Sequence, residues 1–398
     1  MRFLTRLHVL FLMAIVFILY FNWVQPSLHI QARIQKAWKG SSHRIVVFGD
    51  DWSDTGVYRV SPPTNAALRD RDPDRGEVWT EALCRELICD QIDNFARSVQ
   101  ASGDKSSIGS LLSSDIHGNT TVGIVGAVTP LFDFYTQVQQ FINFEKQKWL
   151  APGVLTSEDR WTVFTVYFGV WDLLEYTALE EKEATHAVQR TIKELFRVLD
   201  ILAESFMQPL YVVIPKAVDV TFLPRFQMRR NDSASAFAQE QHQSVYLWRY
   251  WNQALSQAAA DWDHGDIFML DTNSIVMNQV RAQQLYSKHI NDASGYGKQK
   301  PLFEEVERPC LSTNTDSRRL QAAEVEKCID PARYLFWDEI QLNGPLHQLI
   351  GREAGRLLRG NDTVNIVARE RRQQEKATSK IETSNSGAGF DLKMPPGY

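Results

Sequence analysis

The sequence predicts an α/β domain in which helices cover both faces of a parallel sheet. Three observations predict it. Short, continuous apolar runs alternate with segments of helical period along most of the chain. These runs lack the in-out alternation of a sheet that wets one face. The first run, R-I-V-V-F at 44–48, ends in Gly49-Asp50-Asp51, the kind of strand-to-loop junction where open α/β sheets build their sites.

Taken in order, R-I-V-V-F reads as a buried strand, and G-E-V-W-T-E-A-L-C-R-E-L-I-C-D (76–90) as a helix. A polar loop rich in Ser and Gly follows, from about 98 to 119, and leads into T-V-G-I-V-G-A-V-T-P. Next come a helix at 134–150, a strand at 161–169 (W-T-V-F-T-V-Y-F-G) and a long periodic helix over about 180–204. A third strand, P-L-Y-V-V-I-P, a helix around 244–262 and a fourth strand, D-I-F-M-L, complete the alternation. The segment 286–331 has no clear period and holds two cysteines, which suits an excursion tied down by a disulfide. N-G-P-L-H-Q-L-I-G-R-E-A-G-R-L-L-R-G is the closing helix, with Gly360 as its stop.

The composition sets wider limits. The 398 residues are 44% hydrophobic and 23% charged, with a formal net charge of −5, an ordinary globular balance without the basic face that nucleic acid requires. The first 25 residues differ. After Arg2 and Arg6, the run from Val9 to Phe21 is unbroken and apolar, no A-x-A-like cleavage site follows, and the segment reads as an uncleaved signal-anchor that spans a membrane. Residues 26–42 are then a juxtamembrane linker, 43–360 the folded domain, and 361–398 a disordered tail. Sequons at Asn119, Asn231 and Asn361 have meaning only on the luminal or extracellular side. Cys84, Cys89, Cys310 and Cys328 form an even set, as expected of an oxidising compartment. Of three connectivities, the sequence-local one, Cys84–Cys89 with Cys310–Cys328, is expected. A secreted protein is the alternative to a single-pass anchor.

The stretch V-V-F-G-D-D-W-S-D-T-G at 46–56 resembles the first block of the GDSL, or SGNH, hydrolases, F-G-D-S-L-S-D-x-G. G-E-V-W (76–79) resembles that family's G-x-V-W segment, and T-V-G-I-V-G-A-V its second block. V-Y-F-G-V-W-D resembles the third block, G-x-N-D, and Y-L-F-W-D-E-I-Q-L-N-G-P-L-H the last. The blocks stand in the family's order over about 44–360. The resemblance implies a three-layer α/β/α SGNH-type domain with a central parallel sheet, in a lipase or acylhydrolase lineage that cleaves ester bonds. It also assigns positions. Asp51 stands where the nucleophilic Ser belongs, Trp171 where the oxyanion-hole Asn belongs and Gln341 where the catalytic His belongs. Asp338 falls on the triad acid, and Gly126 on the backbone N–H of the oxyanion hole.

Ester cleavage by this route needs a hydroxyl to attack, an imidazole to carry its proton, a carboxylate to orient that imidazole, and donors for the oxyanion. Here the hydroxyl, the imidazole and one amide donor are replaced. An attacking Asp51 would form an anhydride and still need a base. Ser53 and His347 are the substitutes an active enzyme would have to recruit. The sequence therefore favours an impaired, hydrolase-like protein kept for binding an acylated carbohydrate or lipid ester, the alternative being an acyl- or acetyl-ester hydrolase with rearranged residues. Asp50, Asp51, Asp54, Asp172 and Asp338 could gather at one sheet edge, but carboxylates at strand ends more often cap turns, so no metal or other cofactor is expected. Trp52, Trp171 and Trp337 suit either a cleft lining or plain packing.

Overall fold

The seven residues of β1 (His43–Gly49) are all buried, as a central parallel strand requires. The computed structural model describes residues 43–58, 72–100, 107–116, 132–149, 161–206, 209–228, 234–313, 325–367 and 370–371. The expected anchor (1–25) and linker (26–42), Asn119, Gly126, Asn231 and the chain beyond 371 lie outside these residues. Among the described residues, no helix is long and apolar enough to cross a membrane.

After β1 come α1 (Trp79–Leu87), β2 (Gln91–Asn94), the short antiparallel pair β3 (Ser98–Gln100) and β4 (Ser107–Gly109), and α2 (Phe134–Trp149). Then follow β5 (Trp161–Tyr167), α3 (Val170–Tyr176), α4 (Glu181–Glu204), β6 (Leu210–Pro215), α5 (Pro224–Met228), α6 (Ala234–Asp261) and β7 (Gly265–Leu270). The chain continues through α7 (Thr272–Ser287), β8 (Glu305–Pro309), β9 (Leu311–Thr313), β10 (Val325–Lys327), β11 (Tyr334–Phe336) and α8 (Gly344–Gly360).

Five parallel strands form the central sheet in the order β2-β1-β5-β6-β7. Helices α2, α4 and α6 pack together along one side, while α1, α7 and α8 pack on the other. The fold is thus the expected three-layer α/β/α with a central parallel sheet. From β1 the chain first builds outward to β2 and then crosses to β5 on the opposite flank. The carboxyl ends of β1 and β5 therefore frame a topological switch point, where sheets of this kind open a crevice.

The sheet holds one strand more than the four read from apolar runs. β2 is the polar sequence Q-I-D-N, admitted because Asp93 pairs with the buried Arg44 of β1. Arg44 in turn reaches Glu145 of α2 at 2.7 Å. A buried charge is tolerated when it is paired and hydrogen-bonded. Two further boundaries differ from expectation. The closing helix stops at Asn361 in the left-handed conformation (φ 55°), which short polar Asn accepts, and Gly360 is its last helical residue. Ordered packing also continues past 360, correcting the expected start of the tail. The Asn365 side chain accepts from Ile267 N–H and donates to the carbonyls of Trp262 and Gly265, covering the edge of β7. Both disulfides form as the sequence-local pairing requires, Cys84–Cys89 and Cys310–Cys328, each with Cα atoms 4.9 Å apart.

Helices α1 and α8 approach closely, and α1 carries Trp79 into the site. A Cβ on Gly351 would stand 2.6 Å from the Trp79 carbonyl and 2.7 Å from Leu83 N, backbone that cannot step aside. One on Gly355 would meet side chains alone, the Glu86 stem at 3.0 Å and Arg359 Nη1 at 3.3 Å. Gly351→Ala should therefore lower the unfolding free energy by roughly 1–3 kcal/mol in urea titrations, the cost of overpacking. Gly355→Ala should be near neutral in the same measurement.

Candidate functional site

The turn after β1 is built by its own aspartates. Gly49 takes φ 154° where β1 approaches β5 so closely that a Cβ would sit 2.7 Å from the Tyr167 carbonyl. Asp50 Oδ1 accepts the Trp52 N–H at 3.0 Å, and the Asp50 carbonyl accepts the N–H groups of Ser53 and Asp54. The outcome is a tight turn that places Asp51 at the switch point, entirely buried.

There, Asp51, Trp171 and Gln341, three of the residues singled out in the sequence, meet. The Trp171 indole Nε1 donates to Asp51 Oδ1 at 2.7 Å, and the Gln341 amide Nε2 donates to Asp51 Oδ2 at 2.9 Å. Arg75 Nη2 donates to the Asp51 carbonyl at 3.0 Å. Each carboxylate oxygen thus has a neutral N–H donor, brought from 120 and 290 residues away in sequence. Such bonds to an ionised acceptor are stronger than neutral ones, and buried carboxylates require them.

The glycine against this unit is Gly109, at the end of β4. A Cβ there would lie 2.5 Å from Asp51 Oδ1 and closer still to the Trp171 indole nitrogen, so no larger residue fits while the two are bonded. The Ser- and Gly-rich stretch around Gly109 reads as a polar loop, whereas the more apolar segment around Gly126 carries the stronger motif. Asp172, next to Trp171, holds this region in place by accepting the Leu112 N–H at 3.1 Å.

The remaining expected residues have structural tasks. Asp338 Oδ1 accepts the backbone N–H groups of Ile340 and Gln341, at 2.9 and 2.7 Å, and so fixes the turn that aims Gln341. Ser53 is fully buried, and its Oγ accepts the Trp79 indole N–H at 3.0 Å. His347 lies fully buried on α8. Asp54 gathers donors from Gly56, Asn94, Tyr58 and Ser98, tying the first turn to the loop after β2. Among the described residues no group of three or more His, Cys, Asp or Glu is arranged to hold a metal ion. Trp52, Trp171 and Trp337 are all essentially buried, and of the three only Trp337 borders a cleft described among these residues. Arg75 and Gly109 carry no motif of their own, and only the folded chain brings them to Asp51.

Outside the bonded unit, Tyr58, Asp72, Arg75, Ser98, Trp337 and Gln341 line a cleft of about 20 Å³, room for roughly one water molecule. Beneath it, burial pushes the Asp50 carboxyl well above the usual carboxylate range, and the neighbouring Asp51 charge pushes it further. Burial likewise raises the Tyr167 phenol, with Asp50 adding to the effect.

No family model matches the chain, and no curated protein matches it in sequence. Among solved structures it is similar to Est24, a carbohydrate acetylesterase from Sinorhizobium meliloti, at 11% identity and a TM-score of 0.34. The match covers 80% of this chain and 98% of that one.

Two outcomes follow from the site's hydrogen bonds and charges. Trp171→Phe keeps an aromatic ring but removes the N–H from Asp51 Oδ1 together with part of the indole volume. It should cost roughly 1–3 kcal/mol in urea unfolding, the penalty for a buried acceptor deprived of its donor. Asp50 sets a pH dependence of definite sign. With its carboxyl raised in the folded state, the unfolded chain loses the proton first as pH rises above about 4, so Asp50 lowers stability as pH climbs towards its folded value. The unfolding free energy of Asp50→Asn minus that of the parent should therefore increase from pH 4 to pH 7; a flat or falling difference contradicts the assignment.

Proposed function

We propose that this chain is an ester-hydrolase-like protein of SGNH/GDSL lineage whose catalytic position has become a structural lock, and that it acts by binding rather than by hydrolysis. The observation that carries this reading is the pair of hydrogen bonds from Trp171 and Gln341 to the buried carboxylate of Asp51. A hydrolase needs those places for an attacking hydroxyl, a proton-carrying imidazole and a donor free to meet a developing oxyanion. Here the donor is spent on a ground-state carboxylate, the amide side chain cannot act as a base, and Asp51 is a weak nucleophile held at both oxygens. Asp338, which would orient the imidazole, instead accepts backbone N–H groups.

The ligand class that the motif order suggests is an acylated carbohydrate or lipid ester, entering by the cleft over Arg75, Trp337 and Gln341. The two disulfides support an oxidising compartment, luminal or extracellular. An N-terminal membrane anchor, with the domain on that outer side, completes the proposal.

The purified chain should hydrolyse p-nitrophenyl acetate no faster than buffer, and a fluorophosphonate probe should label no serine. Combining Asp51→Ser, Trp171→Asn and Gln341→His should restore turnover by at least about 10²-fold over the parent, since the rest of the scaffold remains in place. Fluorophosphonate labelling of the parent that disappears in Ser53→Ala would overturn the reading and establish a rearranged hydrolase.

A further inference from the structure

The paired strands β9 and β10 lie beside two residues that line the cleft, Asp72 and Trp337. The Cys310 N–H donates to the Phe336 carbonyl at 3.0 Å, the Leu311 N–H to the Trp337 carbonyl at 2.8 Å and the Cys328 N–H to the Cys310 carbonyl at 2.9 Å. The Cys310–Cys328 disulfide staples the two arms beside Lys327. This attachment delivers the Lys327 ammonium to Asp72 Oδ2 at 3.2 Å and Asp74 Oδ2 at 2.5 Å, with the nitrogen 5.3 Å from the centre of the Trp337 ring.

A lone surface ion pair contributes little, because two long side chains must be held in one geometry. This one differs in three respects. Two carboxylates and an aromatic face converge on one ammonium. The staple and the β9–β10 pairing hold the neighbouring backbone, so less freedom is lost in keeping it there. Both walls that it joins belong to the cleft: Asp72 opens the short turn Pro73–Arg75, and Trp337 faces it. The same turn carries Arg75, whose guanidinium binds the Asp51 carbonyl.

We propose that Lys327 is a latch on the cleft: while its ammonium joins Asp72 and Asp74 to the Trp337 face the cleft stays closed, and a ligand enters over Arg75 and Gln341 only when that contact opens. The inference rests on the reading of this cleft as the mouth of the binding site, and it concerns the regulation of that site. The β9–β10 pair is then an autoinhibitory clasp, with the disulfide as its fixed end and the ion pairs as its releasable end. A ligand that binds the open form must supply the free energy of breaking those contacts, so its affinity is set partly by Lys327.

Hydroxyl-radical footprinting of the full chain, read by mass spectrometry, tests this directly. Lys327→Met keeps the aliphatic stem over Trp337 while removing the charge, so any new exposure reports opening rather than truncation. Oxidation at Trp337 and Tyr58 should rise about three- to ten-fold in Lys327→Met, the scale expected for losing this cluster of contacts. Trp52 and Trp251, fully buried elsewhere in the core, should stay unchanged, and Lys327→Arg should match the parent. Unchanged oxidation at Trp337 and Tyr58 would overturn the latch, as would a rise that includes Trp52 and Trp251, the mark of general loosening. None of these readings depends on whether the chain hydrolyses esters, so the latch can fail while the proposed function stands, and the reverse.

Discussion

A carboxylate removed from water must find donors for both oxygens or give up its charge, and at Asp51 that requirement organises the centre of the molecule. One oxygen is met by an indole from the first turn of α3 and the other by an amide from the turn before α8. Satisfying them fixes much else. Trp171 must lie flat enough against β4 that only Gly109 fits beside it. Asp172 must hold the Leu112 region in place, and Asp338 must hold the turn that presents Gln341. The switch point of the sheet is thereby filled from three directions by side chains that bond one another.

The surrounding electrostatics sharpen this constraint. Asp50, Asp51 and Asp172 are all wholly buried near the carboxyl end of β1. Arg75 donates to the Asp51 main-chain carbonyl. At Asp50, burial and the Asp51 charge favour the protonated form. A site of this kind is rigid and closed in its resting state. A hydrolytic site, by contrast, keeps its donors open until charge develops in the transition state.

How much of this could be read from the chain follows from where the free energy of each element lies. β1, β5, β6 and β7 announced themselves as apolar runs because both their faces are covered, and α4 and α8 did so through helical period. β2 did not, since Q-I-D-N owes its place in the sheet to the Arg44–Asp93 pair, a contact across 49 residues that no local pattern encodes. Asn365 was lost to the expected tail for the same reason, as its amide serves the edge of a strand about 100 residues earlier. At the site, motif order located Asp51, Trp171, Asp338 and Gln341. What it could not supply was their bonding, nor the part played by Gly109, whose importance is the absence of a side chain beside two others.

The bonding changes what those departures mean. Taken singly, Asp51 buries a carboxylate, Trp171 adds bulk to a crowded turn, and Gln341 leaves a polar amide in the interior; each alone would cost stability. Together they cancel, because the anion accepts from the two donors and the indole's bulk fills the space over Gly109. The three residues therefore act together: loss of Asp51 deprives both donors of this acceptor, and loss of Trp171 or Gln341 removes the donor from one of its oxygens. The bonded unit, more than any one of its members, therefore sets how the centre of the domain responds to substitution.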